Sequence, residues 1–112
     1  MRRALRRAAA PDRVSLSLPS EPASVSLART AAAGLLAHRD GDGALGAHLA
    51  SVVADLLSGA LAQARARDRL IVRFDLGRDS VLTTVAIDRA GRWRGRGSFL
   101  ASRAMSLKAH GG

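Results

Sequence analysis

One apolar run, from Leu45 to Ala64, constrains the fold of this chain more than any other stretch. Its apolar side chains recur every three or four residues, which is the period of a helix that buries one face. These residues are Leu45, Leu49, Val52, Val53, Leu56, Ala60 and Leu61. An ionised Asp55 among apolar neighbours is costly without a partner or ligand, and Gly59, one turn later, sacrifices about 1 kcal/mol relative to alanine. The two unfavourable residues, with Gln63 one further turn along, indicate a functional site on this helix.

The length and composition favour one small cytoplasmic domain. The 112 residues include three aromatics, so the core must be built from leucine, valine and alanine. The absence of cysteine excludes disulfides, thiol catalysis and cysteine-ligated metal. Polar residues interrupt the long apolar run, and we therefore expect no membrane-spanning segment. The AspGlyAspGly sequence at 40–43 is similar to a calcium loop, but Ser51 stands where that loop needs glutamate, so we expect no calcium site.

The formal charge of +9 results from seventeen arginines and one lysine against nine acids. Such an excess is typical of nucleic-acid binding, but a GC-rich genome also enriches arginine and alanine without selection for binding. The positive residues concentrate near the two ends of the chain. Residues 1–13 lack the apolar segment of a secretory signal. We expect a basic flexible arm over 1–13 and one domain over 14–112.

The hydrophobic pattern predicts an α+β fold. Apolar and polar residues alternate in three segments, which predicts strands: Val14–Leu18, Leu70–Leu76 and Val81–Ile87. Helical spacing predicts a first helix, capped by Ser20, the long helix, and a third helix: Ala23–His38, Leu45–Ala64 and the segment from Ser98 onward. We expect residues 65–69 to run through solvent and the arginine-glycine segment 89–97 to form a loop. The predicted arrangement places helices on one face of a mixed, mainly antiparallel sheet.

Four segments in this order resemble the actinobacterial anti-sigma-factor serine kinases of the GHKL ATPase superfamily. They are Leu18–Arg29, the second half of the long helix, the hairpin that ends in Asp88, and the GlyArgGlySerPheLeu sequence at 95–100. The resemblance covers residues 14 to about 110 and implies a GHKL-like α/β sandwich. The family pattern continues into further strands, whereas this chain ends at Gly112. We therefore expect a sheet that is incomplete at its C-terminal end, with an edge at which a homodimer could form.

The resemblance also assigns roles to individual residues. It puts Asp55 in the place of the catalytic glutamate, Gly59 in the place of the asparagine that holds Mg²⁺, and Asp88 where an aspartate binds the adenine amino group of ATP. Gly91 would let the base approach, and the phosphate loop would comprise Gly95, Arg96 and Gly97. Aspartate is one methylene shorter than glutamate, and a misplacement of about 1 Å can cost on the order of 10²-fold in rate. Because glycine offers no metal ligand, the resemblance implies ATP binding with weak or absent phosphotransfer.

The function that we expect from the sequence is regulation by protein contact. The partners that the resemblance implies are a sigma factor and an anti-sigma-factor antagonist. We expect Asp55 and Asp88 to face a shared cavity covered by the arginine-glycine segment. In the alternative without chemistry, Asp55 lies where two helices pack together and pairs with an arginine such as Arg73 or Arg103. Two other functions stay open: a small nucleic-acid-binding protein that uses the basic arm and the loop around Trp93, and a catalytically inactive interaction domain.

Overall fold

The computed structural model describes residues 13–37, 43–89 and 100–107, and in them an α+β fold. The elements in chain order are β1 (Arg13–Pro19), α1 (Ala23–Leu35), α2 (Ala44–Leu61), β2 (Arg69–Leu76), β3 (Ser80–Asp88) and β4 (Leu100–Ser106). The predicted fold class, with helices on one face of the sheet, is confirmed. The described strands form a sheet that is antiparallel throughout.

The four strands lie in the order β1-β2-β3-β4, so β1 and β4 are the two edges of the described sheet. Side chains of successive strand residues point to opposite faces, and one face is buried under the helices. The core side chains on this face include Leu70, Val72 and Phe74 of β2, and Val81, Val85 and Ile87 of β3. The other face carries Arg69, Ile71, Arg73 and Asp75 of β2 and their neighbours across the sheet.

Helix α2 forms the centre of the core. It lies against β3 and β4 and also contacts β2, whereas α1 packs mainly on α2 and reaches β1. Gly46 allows the two helices to approach closely, because a Cβ atom at this position would lie 3.0 Å from the carbonyl oxygen of Ala33. By length and composition alone α2 could cross a membrane. The core helix of a soluble protein meets the same criteria, and α2 buries eight of its residues in the fold.

The predicted third helix is wrong where the structure describes this segment. Residues 100–106 form β4, which pairs with β3 from Ser80–Ser106 to Ala86–Leu100. A helix of this length has little stability of its own, whereas pairing with β3 supplies partners for the backbone N–H and C=O groups of both strands. The tertiary contact therefore overrides the helical spacing in the sequence.

The N-terminal cap of α1 differs from the prediction, although the helix begins at Ala23 as expected. The N-cap is Pro22 without a side-chain cap, and the helix ends at Leu35. Ser24, rather than Ser20, makes the local hydrogen bond: its hydroxyl donates to the carbonyl oxygen of Pro19 at 2.6 Å. Ser24 is fully buried, so this bond satisfies its hydroxyl and fastens the first turn of α1 to the end of β1.

Candidate functional site

Asp55 lies on the solvent side of α2, so the prediction that it sits among apolar neighbours is wrong. Its side chain is 69% exposed, and its Oδ2 lies 3.8 Å from Nη1 of Arg103 on β4. The buried face of α2 is formed by the rows through Leu49, Val53 and Leu57, and at 3.6 residues per turn residue 55 falls outside those rows. The predicted pairing of Asp55 with Arg103 is confirmed as a solvent-exposed pair, but its expected place between two helices is wrong, because Arg103 lies on β4. Arg73 instead donates to Asp75.

Gly59 and Gln63 are exposed near the end of α2, on the same side as Asp55. These positions do not provide the donors that Mg²⁺ prefers, because the carboxylate of Asp55 lies beside a guanidinium and Gly59 has no side chain. No group of three or more His, Cys, Asp or Glu side chains that could hold a metal ion occurs in the part of the chain that the structure describes. The residues present therefore do not fit a magnesium site.

Asp88 is the last residue of β3 and is exposed. The alternation of β3 turns Val81, Val85 and Ile87 toward α2, so position 88 belongs to the opposite face of the sheet. Asp55 reaches Arg103 from the helix side. The described residues thus bring Asp55 and Asp88 to opposite sides of the sheet rather than to one cavity.

The other predicted nucleotide-binding residues, Gly91, Gly95, Arg96 and Gly97, lie outside the described residues. The same is true of Trp93 and of residues 1–12 of the basic arm, whereas Arg13 belongs to β1. Of the nucleotide site that the resemblance implies, the structure therefore describes only Asp88 and the two positions on α2.

Thr83 lies on β3, next to the strand that carries Arg103. Its cross-strand neighbour on β4 is Arg103, and its hydroxyl is buried without a hydrogen-bond partner. A buried hydroxyl that makes no hydrogen bond costs about 1–3 kcal/mol. The paired strands β3 and β4 therefore carry an exposed arginine and, as its cross-strand neighbour, a buried hydroxyl that makes no hydrogen bond.

A buried ion pair that the sequence analysis missed joins the two ends of the β2–β3 hairpin opposite its turn. Asp68 is only 4% exposed, although we expected its segment to run through solvent. Its Oδ2 accepts hydrogen bonds from Nη1 of Arg89 at 3.0 Å and from the backbone N–H of Arg65 at 2.7 Å. Because Arg69 is paired with Asp88 in the sheet, their chain neighbours Asp68 and Arg89 lie close together. A signal was present in the sequence, since an acid and an arginine flank the two predicted strands.

A second carboxylate, that of Asp75, binds two arginines on the open face of the sheet, which is the face that the helices do not cover. Asp75 Oδ1 accepts a hydrogen bond from Nε of Arg13 at 2.6 Å, and its Oδ2 accepts one from Nε of Arg73 at 3.2 Å. The hydrogen bond from Arg13 is the main cause of a lowered Asp75 pKa; the charges of both arginines add to the lowering and burial opposes it. Two of the arginines on this face are therefore partly neutralised within the fold.

Comparison with known proteins identifies no family for this chain. No protein-family model matches the sequence, and a search of curated proteins finds no match.

Proposed function

We propose that the protein is a regulatory domain of the anti-sigma-factor kinase type that acts in the cytoplasm through contact with a protein partner and transfers no phosphate. The order of motifs in the sequence supports this family type. The described order of strand, helix, helix and hairpin over residues 13–88 is compatible with it. The strand at 100–106 departs from the family pattern, in which a helix stands there.

The observation that carries the proposal is the position of Asp55. A general base must come within hydrogen-bond reach of the group that it activates, but Asp55 is 69% exposed and lies beside Arg103. The guanidinium of Arg103 lies at ion-pair distance from this carboxylate and competes for it with any attacking hydroxyl. With Gly59 unable to bind Mg²⁺, this arrangement lacks two contributions to phosphoryl transfer. Regulation by contact with a protein partner requires neither a general base nor a magnesium ligand.

The proposal includes weak binding of ATP by this domain. The carboxylate of Asp88 is exposed at the end of β3, and in the part of the chain that the structure describes no ion pair occupies it. It can therefore accept a hydrogen bond, such as one from an adenine amino group. This is the only described feature that favours nucleotide binding.

Calorimetric titration with ATP, with and without magnesium, tests the nucleotide part. We expect weak heat that changes little with magnesium and is lost in Asp88→Asn. Asp79→Asn is the matched control, because Asp79 is an exposed acid at the β2–β3 turn, and it should bind as the unmodified chain does. Absence of heat and of a thermal shift at millimolar ATP would remove ATP from the proposal but leave protein contact standing.

Protein contact and phosphate transfer are tested with purified partners. A sigma factor and an anti-sigma-factor antagonist from the source organism are titrated with the chain in the absence of ATP, and the antagonist is then incubated with radiolabelled ATP. We expect binding of at least one partner and no labelled serine. Label transfer by the unmodified chain, or no binding of either partner, contradicts the proposal.

Nucleic-acid binding is the alternative that the charge favours. The described ranges contain nine arginines and six acids, so most of the net positive charge of +9 lies outside them. On the open sheet face Arg13 and Arg73 already share Asp75. Binding of DNA or RNA that weakens steeply between about 50 and 200 mM salt would support this alternative, and no binding at low salt would eliminate it.

A further inference from the structure

We propose that the open face of the sheet binds an amphipathic helix of a partner protein, in which acidic side chains flank an apolar stripe. This inference goes beyond the proposed function, because it names a surface and a class of ligand and holds whether or not the chain is of the anti-sigma-factor kinase type.

An apolar patch of five residues lies on the open face of three neighbouring strands. The register aligns Ile71, Ala86 and Leu100 in one row across β2, β3 and β4. Two rows away on the same face, Leu82 lies beside Ala104. Leu82 is 40% exposed and Leu100 is 67% exposed, and they are two of the three large apolar side chains that the described residues expose. An exposed apolar patch with a polar rim is typical of an interaction site.

The size of the apolar patch fits a helix. Leu82 and Ala86 are four residues apart on one strand, which corresponds to about 14 Å, and the first and third of the strands lie about 10 Å apart. A helix is about 10 Å wide and rises about 1.5 Å per residue, so two to three turns cover this area. Between the two apolar rows lie Thr84 and Ser102, whose short side chains leave room for those of the incoming helix.

The charges beside the apolar patch favour an acidic ligand. By their positions in the strands, the charged residues on the open face are Arg13, Arg69, Arg73, Asp75 and Asp88. Arg13 and Arg73 share Asp75. Arg69 donates to Ser17 and forms no ion pair with a described residue. Three guanidinium groups against two carboxylates give this face a net positive charge, which acidic side chains of a ligand complement.

The other segments of the chain do not complement this face. Residues 1–12, 90–99 and 108–112 contain seven arginines and one lysine against one acid, and like charges disfavour their contact with a positive surface. Residues 38–42 join α1 to α2, the two helices on the other face of the sheet. The open face of a second copy would present the same net charge. The charges therefore favour an acidic helix from another protein.

The apolar patch also favours a protein ligand over a nucleic acid. Sheets bind single-stranded nucleic acid by stacking its bases on aromatic side chains. Among the described residues the one aromatic side chain, Phe74, is fully buried under the helices. Leucine and isoleucine side chains instead match the apolar stripe of an amphipathic helix.

Selection from a displayed library of helical peptides tests the chemistry of the ligand. Each peptide carries leucines at helical spacing on one side and glutamate, lysine or serine at the flanking positions, and the full chain is the target. We expect the selected peptides to be enriched in glutamate on their flanks, and a synthetic copy to bind more weakly as the salt concentration rises. If no helix is enriched, or if lysine is enriched, the proposal is wrong.

Substitution of exposed leucines tests the location of the site. Leu100→Gln removes an apolar side chain from the patch and should weaken binding of the selected peptide at least about tenfold. Leu27→Gln is the matched control, because Leu27 is 57% exposed and lies on α1, and it should not change the affinity. Circular dichroism checks that both variants keep the fold. Equal affinities of the two variants overturn the proposal.

Cysteine cross-linking locates the bound peptide directly, because the chain has no cysteine of its own. In Ser102→Cys the thiol lies between the two apolar rows, whereas in the control Ser51→Cys it is exposed on α2. A selected peptide with a cysteine at the end of its leucine stripe should form a disulfide mainly with the first variant. Equal cross-linking of both variants contradicts the proposal.

A competition experiment separates a protein ligand from a nucleic acid. We expect single-stranded DNA not to displace the selected peptide from the unmodified chain. DNA that displaces the peptide, and whose own binding is unchanged in Leu100→Gln, would assign the open face to nucleic acid and overturn the proposal. None of these measurements uses a sigma factor or ATP, so their failure would leave the proposed function standing.

Discussion

Two Asp–Arg ion pairs, Asp68–Arg89 and Asp55–Arg103, differ in how deeply they are buried. Asp68 is 4% exposed where it meets Arg89, whereas both members of the Asp55–Arg103 pair are more than half exposed. Solvent screens an exposed pair and lowers its contribution to stability. A buried carboxylate, in contrast, depends on its partners because it has lost its water.

Removing the two arginines should therefore have unequal effects. Arg89→Met deprives buried Asp68 of a charged donor and should lower the free energy of unfolding by about 1–3 kcal/mol. Arg103→Met, the matched control, should cost less than about 1 kcal/mol because its pair is exposed. Urea denaturation of both variants measures the difference. Equal losses would show that the Asp68–Arg89 pair has no special role in holding the hairpin.

At the scale of the elements, the contact between α1 and α2 depends on a glycine. Gly46→Ala would place its Cβ 3.0 Å from the carbonyl oxygen and 3.2 Å from Cα of Ala33. Backbone atoms cannot move aside as a flexible side chain can, so the helices must separate. We expect a loss of about 1–3 kcal/mol in the free energy of unfolding.

Gly34→Ala is the control for this prediction, since a Cβ at Gly34 meets nothing within 4 Å. Alanine is favoured over glycine in a helix by up to about 1 kcal/mol, so this variant should be as stable as the unmodified chain or more stable. Thermal unfolding of the two variants separates the effects. Equal melting temperatures would contradict the close approach of the helices at Gly46.

The identity of β4 is open to a direct test. Met105 is 6% exposed and Leu100 is 67% exposed, whereas the predicted helix would have buried Leu100. Met105→Ala should cost about 2–5 kcal/mol, the usual range for a buried methionine, and Leu100→Ala should cost little. Denaturation of both variants is the measurement, and the reverse order of their stabilities would favour the helix.

Most elements could be predicted because their patterns are long or regular. The alternation at Leu70–Leu76 and the spacing at Leu45–Leu61 each place one face in the core. The segment after Phe99 is short, and its spacing was compatible with a helix. Its structure is decided by β3, which offers an unpaired edge.

At the scale of the whole molecule, stability should depend on pH through Asp75. Its pKa in the folded chain is lowered, chiefly by the hydrogen bond from Arg13. A group whose folded pKa lies below its unfolded value stabilises the fold above the unfolded pKa of about 3.9, and this stabilisation is lost as the pH falls through the folded pKa.

Asp75→Asn should remove this part of the pH dependence. The variant should be less stable than the unmodified chain at neutral pH, and the two should converge in acid. Denaturant midpoints measured across the acid range give the comparison. Asp79→Asn, at the exposed turn, is the control and should leave the profile unchanged. A difference between Asp75→Asn and the unmodified chain that stays constant with pH would contradict the role of its ionisation.

The candidate site was harder to predict than the fold, because a periodic pattern does not give the rotation of a helix. Asp55 and Gly59 were recognised as unusual, but the tertiary structure decided that they face solvent. Similarly, the sequence located Asp88 at the end of a strand, and the pairing of that strand decided which face it occupies.

The amino-acid sequence by itself determined the α+β class, the long core helix and the β2–β3 hairpin, because local periodicity and turn residues are enough to specify them. Only the tertiary structure decided that residues 100–106 form a strand, that Asp68 is buried and that Asp55 is exposed. Each of these outcomes depends on parts of the fold that are distant along the chain: β3 for the strand, Arg89 for Asp68, and for Asp55 the sheet against which α2 buries its other face.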